Sequence, residues 1–364
     1  MNKTFLLFYI VFGLSIFSGY NHEEESTLQV IADTTKGRVI DGEHVEILIG
    51  HVHAFQDTIH MYCEWARRFR ERRIMEFYSN VIVYDGHHRL YADKIFYDEN
   101  ERRADCYGHV RISGESDSLY AKKFVYYFKD KRAEARDSVF LWDKENNAAV
   151  WGNWGYYNSS EKKGDVFQAA KLRHYGESDD DTLYITSGEM HYQGIEPKKA
   201  TAVEHVIIQK GNFYALCDTA FYHISEDKIL LRGDPKAWQE DSEMTGDSID
   251  VDLDSLVFKE IYLKDNASIK TLADSIQRKY NLLRGKTIQV SLVDKKPQIV
   301  IARKNATSLY LIQDEQGTQG TNAAIADSIM LIFKEGKVDS ISILGDVEGT
   351  FYPVDYEGEI ELEY

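Results

Sequence analysis

The sequence predicts an all-β fold of antiparallel rungs stacked into a long array, and three observations predict it. His51-Val52, Asn80-Val81, His109-Val110 and Ser138-Val139 recur at one period, since 81−52, 110−81 and 139−110 all equal 29. A fixed period in this range marks a repeat architecture whose units stack on their neighbours. Matching second runs come after the starts: Met61-Tyr62-Cys63-Glu64, Leu90-Tyr91-Ala92-Asp93 and Leu119-Tyr120-Ala121-Lys122. Within each run the pattern has strand periodicity, as where Val81 and Val83 alternate with Ile82 and Tyr84. The 24 Tyr and 17 Phe beside only 4 Pro suit many strands.

Taken in order, residues 1–20 read as a signal peptide or an N-terminal anchor. Lys3 supplies the positive start and Phe5–Phe17 the apolar run, which is short of the roughly 20 residues that span a bilayer. Leu28–Gly50 opens the array with Val45, Ile47 and Ile49 in alternation. The clear units come next, with turns at Gly86-His87-His88 and Glu99-Asn100-Glu101. A fourth unit starts at Val139 and drifts through Trp142, Trp151 and Trp154, before a polar connection at Arg173–Asp181. The segments expected are 28–176, a continuation over 177–265 in which Val206 starts a recognisable unit, and a longer-repeat β segment over 266–364. In that last segment Asn266, Asn305 and Asp346 each come after an apolar strand, at offsets of 305−266 = 39 and 346−305 = 41. Leu272, Ile276, Tyr280 and Leu283 have helical spacing, so one short helix is expected near 271–283. Val354, Tyr356, Gly358, Ile360, Leu362 and Tyr364 alternate with acids, which predicts an acidic end strand that blocks edge pairing, or an acidic tail.

The net charge of −17 argues against nucleic acid and anionic membrane surfaces as partners. Three cysteines in an exported chain would suggest one disulfide. However, Cys63 occupies the slot that Ala92 and Ala121 hold in later units, and a small semi-buried slot explains it without redox chemistry.

Stacking aligns equivalent side chains into columns about 4.8 Å per strand apart. Val52, Val81, Val110 and Val139 form one apolar ladder, and Ile59, Leu90 and Leu119 another. The inward phase slips within a unit: Leu90 and Ala92 share one phase, Ile95 and Tyr97 the other, with Asp93-Lys94 between them. A corner copied at that place makes two sheet walls facing across an apolar interior. That interior is either packed shut or left open.

The G-x-V starts (Gly50-His51-Val52, Gly108-His109-Val110) and the L-Y-A-D/K runs, in this order and period, resemble the OstA-like family of lipopolysaccharide-transport proteins. The run Tyr280–Ile288, with Asn305-Ala306 and Asn322-Ala323 after it, looks like the form found in Bacteroidota. The resemblance covers roughly Val45 to Tyr352 and is least over Trp151–Thr201. It implies an elongated open V-shaped β-jelly-roll in the periplasm of a Gram-negative envelope, membrane-anchored if the leader is retained. It implies a non-enzymatic carrier that shelters the acyl chains of lipid A, with lipopolysaccharide and other transport proteins, stacked end to end, as partners. No cofactor is expected. The residues expected to line the groove are Val52, Ile59, Val81, Val83, Leu90, Ile95, Val110, Ile112, Leu119, Phe124 and Val139.

Other chemistry is weaker. His51, His53 and His60 suggest a metal site, but polar turn residues explain them better, and no metal or catalytic residue is assigned. Glu64, Asp93, Asp218 and Asp247 recur at a corner position, which favours a structural role over paired catalytic acids. Arg67–Arg73 is a basic cluster that reads as an exposed turn face or as an anion contact. The alternatives to a carrier are a solenoid carbohydrate-active enzyme and an envelope scaffold.

Overall fold

The computed structural model describes residues 28–360 apart from 116, 145–146, 159, 255–256, 275–278, 315–316, 357 and 359. The expected leader lies outside these residues. The first strands are β1 (Gln29–Ile31), β2 (Thr34–Ile40), β3 (Glu43–Gln56), β4 (Ile59–Phe69), β5 (Ile74–Tyr84), β6 (Arg89–Asp98), β7 (Arg103–Ser113) and β8 (Asp117–Tyr127). Then come β9 (Arg132–Asp143), β10 (Ala148–Asn158), β11 (Lys163–His174), β12 (Leu183–Gln193), β13 (Lys199–Lys210), β14 (Phe213–His223), β15 (Lys228–Arg232) and β16 (Lys236–Gln239). The last are β17 (Ser242–Thr245), β18 (Ser248–Asp254), β19 (Val257–Asp274), β20 (Lys279–Val293), β21 (Lys296–Asp314), β22 (Gly317–Lys334), β23 (Lys337–Leu344) and β24 (Glu348–Pro353). The fold is all-β, a stack of antiparallel strands of the jelly-roll kind, with no α-helix among the described residues.

The chain divides into two compact units. One takes the residues up to Gly176 together with Ser187–Ala200; the other takes Glu177–Thr186 and Thr201 onward. In the first unit β1 and β2 both pair with β3, and β3 to β11 form an antiparallel meander. Every pair in that meander shifts register in mid-strand, as between Tyr91 and Lys94 in β6·β7.

The shift has a local backbone cause. Gly50/His51, Ser79/Asn80, Gly108/His109, Asp137/Ser138 and Gln168/Ala169 are successive pairs with φ between 41° and 78°. Two left-handed residues in a row bulge the strand and re-aim its second half. Gly and Asn adopt this region most readily, and side chains with a Cβ carry roughly 1–2 kcal/mol of strain each. The periodic markers His51, Asn80, His109 and Ser138 are the second member of each pair. The phase slip expected at Asp93-Lys94 is present: Leu90, Ala92, Ile95 and Tyr97 are all buried. The left-handed residues themselves sit on the neighbouring strand.

A side chain from the adjacent strand tops these corners. Asn80 Nδ2 donates to Glu64 Oε1 at 2.7 Å, and His109 Nδ1 meets Asp93 Oδ2 at 2.9 Å. The same device recurs in the second unit, where Asn266 Nδ2 donates to Asp247 Oδ1 at 2.9 Å. There Asp265/Asn266, Lys304/Asn305 and Gly345/Asp346 are again left-handed pairs. Their wider spacing matches strands of 18, 15, 19 and 18 residues from β19 to β22. Gly233/Asp234 divides β15 from β16, which both pair with β14.

Two expectations need correction. Thr271–Leu283 is not a helix: Leu272 pairs with Tyr280 and Ile269 with Leu283 across the β19·β20 hairpin. Ile276 lies outside the described residues. Apolar residues placed symmetrically about a hairpin mimic helical spacing, and pairing with β17 and β21 on the outer sides settles the conformation. The acidic end strand is not formed in the described part, since β24 ends at Pro353 and Val354-Asp355 make a turn; residues 361–364 lie outside it.

Candidate functional site

The corner divides the first unit into two walls whose inner faces are apolar. On one wall Ala54, Met61, Val83, Leu90, Ile112, Leu119, Leu141, Val150 and Leu172 oppose one another strand by strand. On the other the column is Leu48, Ala66, Phe77, Ile95, Cys106, Phe124 and Ala135. All are buried. Polar and aromatic residues go outside. One outer column runs Trp65, Tyr78, Lys94, Tyr107, Lys123, Arg136, Trp154 and Phe167. There Trp65 stacks on Tyr78 at 4.0 Å, and Lys94 lies 4.7 Å from the Tyr78 ring. Such cross-strand pairs stabilise the outer face and leave the interior to apolar side chains.

Of the residues expected to line a groove, Val52, Val81, Val83, Leu90, Ile95, Val110, Ile112, Leu119, Phe124 and Val139 belong to one buried cluster. Ile59 is only partly buried against it. It pairs with Gln56, so Met61, and not Ile59, shares the ladder of Leu90 and Leu119. The valine ladder is interleaved with small residues: Val52 faces Cys63, Val81 faces Ala92, Val110 faces Ala121 and Val139 faces Gly152.

Between the walls lies a cavity of about 30 Å³. Val83, Leu90, Ile59 and Met61 line it from one wall, and Ile95, Cys106 and Phe124 from the other. It is room for about two water molecules, so at this place the walls leave no space for a longer ligand. Ala104, Tyr126 and Phe128 also line it and were missed by sequence reasoning, as was Cys106; Tyr97, read as inward with Ile95, lines it too. The 29-residue spacing of Tyr97 and Tyr126 (126−97) is the signal that would have found Tyr126. The thiols of Cys63, Cys106 and Cys217 are free and buried. Burial pushes the Cys63 thiol up to about 11, and Cys106 higher still.

The turn between β5 and β6 carries a buried histidine, His88. His88 Nδ1 lies 3.7 Å from Asp85 Oδ2 and Nε2 lies 3.8 Å from Asp117 Oδ1. Asp117 pairs across strands with Asp143. Asp85, then Asp117, raises the His88 pKa against the opposing effect of burial. Burial pushes the Asp117 carboxyl up. His53 and His60 meet at 3.0 Å between ring nitrogens on β3 and β4, with Tyr62 stacked on His53. Among the described residues no group of three side chains is placed to hold a metal ion. Glu64, Asp93, Asp218 and Asp247 each sit at a different corner, beside Asn80, His109, Gly233 and Asn266. Arg67, Arg70, Arg72 and Arg73 are tied to Glu76, Glu46, Glu43 and Glu99.

The OstA-like protein family matches residues 27–178. Among solved structures, 18 chains are similar. One is LptH of Pseudomonas aeruginosa, described as the LptA-homologous periplasmic component of the conserved lipopolysaccharide transport device. It is 15% identical, with 31% of this chain and 83% of that chain covered and a TM-score of 0.28. No curated protein matches the chain.

Proposed function

With residues 27–178 an OstA-like segment as premise, we propose that the protein is a non-enzymatic periplasmic carrier or bridge. It shelters the acyl chains of lipopolysaccharide in the apolar space between its two walls. The observation that carries this reading is the pair of unbroken inner columns on β3 to β9, apolar on both walls and facing each other across a shared cavity. A lipid crossing water needs its chains covered, at about 0.8 kcal/mol per buried CH₂. Equivalent side chains at every strand offer a chain similar contacts all along the stack, so it slides without a preferred stop. The charge of −17 fits a protein that holds chains and leaves anionic head groups in solvent. Other transport proteins would stack on it end to end, strand against strand.

The small size of this cavity sets a condition: an acyl chain is admitted there only when the walls separate. A structural scaffold with a filled core is the competing reading, and the 30 Å³ cavity favours it. Photo-crosslinking separates the two. Benzophenone side chains at Val81, Leu90 and Val110 are expected to capture lipopolysaccharide, and those at Glu99 and Asp130 are not. Capture independent of face, or at no buried position, removes the carrier reading.

A further inference from the structure

The two walls of the first unit are joined along the corners by continuous, hydrogen-bonded strands. At their far edges they meet through side chains. Tyr97, near the end of β6, donates its hydroxyl to Gln56 Oε1, at the end of β3, across 41 residues of sequence at 3.4 Å. Tyr126 and Phe128 extend the same edge. The Phe128 ring lies edge-on to Tyr97 at 5.9 Å and to Tyr126 at 4.8 Å. All four residues line the cavity, whose deeper lining is Leu90, Ile95, Cys106 and Phe124. Gln56 and Phe128 are half-buried while Tyr97 and Tyr126 are 7% and 4% exposed, so the space is closed at this edge.

The strengths of the two joints are unequal. At the corner the walls share backbone and ladder hydrogen bonds. At the rim they meet through side chains, among them the Tyr97–Gln56 hydrogen bond, well beyond the usual O–H···O length, while Phe128 packs edge-on against Tyr97 and Tyr126 of its own wall. Any separation of the walls therefore starts at the rim and turns about the corners. Burial raises the pKa of both phenols, to about 12 for Tyr126, so they stay neutral. A neutral hydroxyl above an apolar cavity suits a ligand that is apolar at one end and polar at the other.

We propose that Gln56, Tyr97, Tyr126 and Phe128 form a closable rim. The interior opens by parting Tyr97 from Gln56, and an alkyl chain passes there with its ester or amide root left against the Tyr97 and Tyr126 hydroxyls. The identity of the passing molecule rests on the carrier reading; the opening does not.

Cys106 reports the opening directly, because it lines the cavity and is 1% exposed. The test uses the full chain with Cys63→Ala and Cys217→Ala, so that Cys106 is the remaining thiol. Its alkylation by N-ethylmaleimide is timed in the parent, Gln56→Ala and Tyr97→Phe, with and without dodecanoate. Both variants keep the apolar lining, and a melting curve confirms the fold. Losing one net hydrogen bond is expected to speed alkylation about threefold to tenfold. Dodecanoate is expected to slow it in all three proteins. Equal rates in parent and variants overturn the rim, as does a urea dependence matching that of global unfolding. Faster alkylation in the variants with no effect of dodecanoate keeps the rim and removes the lipid reading. Protection by dodecanoate with equal rates does the reverse.

Discussion

His109 on β7 and Asp93 on β6 meet at 2.9 Å over a backbone corner, and His51 repeats the contact with Asp33 at 2.8 Å. The carboxylate also occupies the space where a side chain on the first corner residue would go. A Cβ on Gly108 would stand 2.2 Å from Asp93 Oδ2, at φ +70°. Gly108→Ala is therefore expected to destabilise by about 2–4 kcal/mol, combining left-handed strain with the clash. In Gly108→Ala/Asp93→Ala the carboxylate clash goes while the strain and a 3.0 Å approach to the Cβ of residue 93 remain, so the double variant recovers part of the loss. Urea titrations of the four proteins measure the coupling.

The inner columns predict a graded response to truncation. Phe124→Ala removes a fully buried ring beside the cavity and is expected to cost about 3–5 kcal/mol. The enlarged space is lined by Leu90, Ile95 and Cys106 and should stay dry. Xenon or benzene binding to the variant, absent in the parent, checks this. Val110→Asp, which buries a charge without a partner, is expected to prevent folding at ordinary temperature.

His88 gives a pH dependence whose sign is fixed by its raised pKa. In the fold Asp85 and Asp117 favour the imidazolium, so its contribution is fully present below the ordinary value of 6.5. It fades as pH rises through the raised value. Asp117, raised by burial, also favours the protonated state. His88→Asn should therefore lower the melting temperature more at about pH 5.5 than at about pH 8.5. Melts across that interval decide it; an equal loss at both ends would mean that His88 acts through packing alone.

The cysteines are expected to be inert. Cys63, Cys106 and Cys217 are free, buried and raised in pKa. Reductant should leave the melting temperature unchanged. A thiol titration should find three reactive groups in denaturant and slow reaction of all three in the folded protein.

The corners were legible in the sequence because they are backbone features with residue preferences. His51, Asn80, His109 and Ser138 recur at fixed spacing for that reason, and the longer offsets of Asn266, Asn305 and Asp346 mark the same conformation. The inner columns were legible too, since strand alternation and the period together assign each residue a wall. Ile59 was misplaced by two residues because the ladder partner depends on pairing across the β3·β4 turn. The helix expected over 271–283 failed because Leu272 and Tyr280 are partners, not neighbours on one face. The distance between the walls was not legible at all. Tyr97 spans it to reach Gln56, and no local pattern encodes that reach.

Because each corner travels with its own pair of strands, the stretch from one marker to the next is a self-contained cassette. Duplicating or excising 29 residues between His51 and Ser138 leaves every remaining side chain facing the same way. Inserting a single residue turns the rest of its strand inside out. Length variation among related chains should therefore come in whole cassettes, by unequal recombination, and rarely one codon at a time.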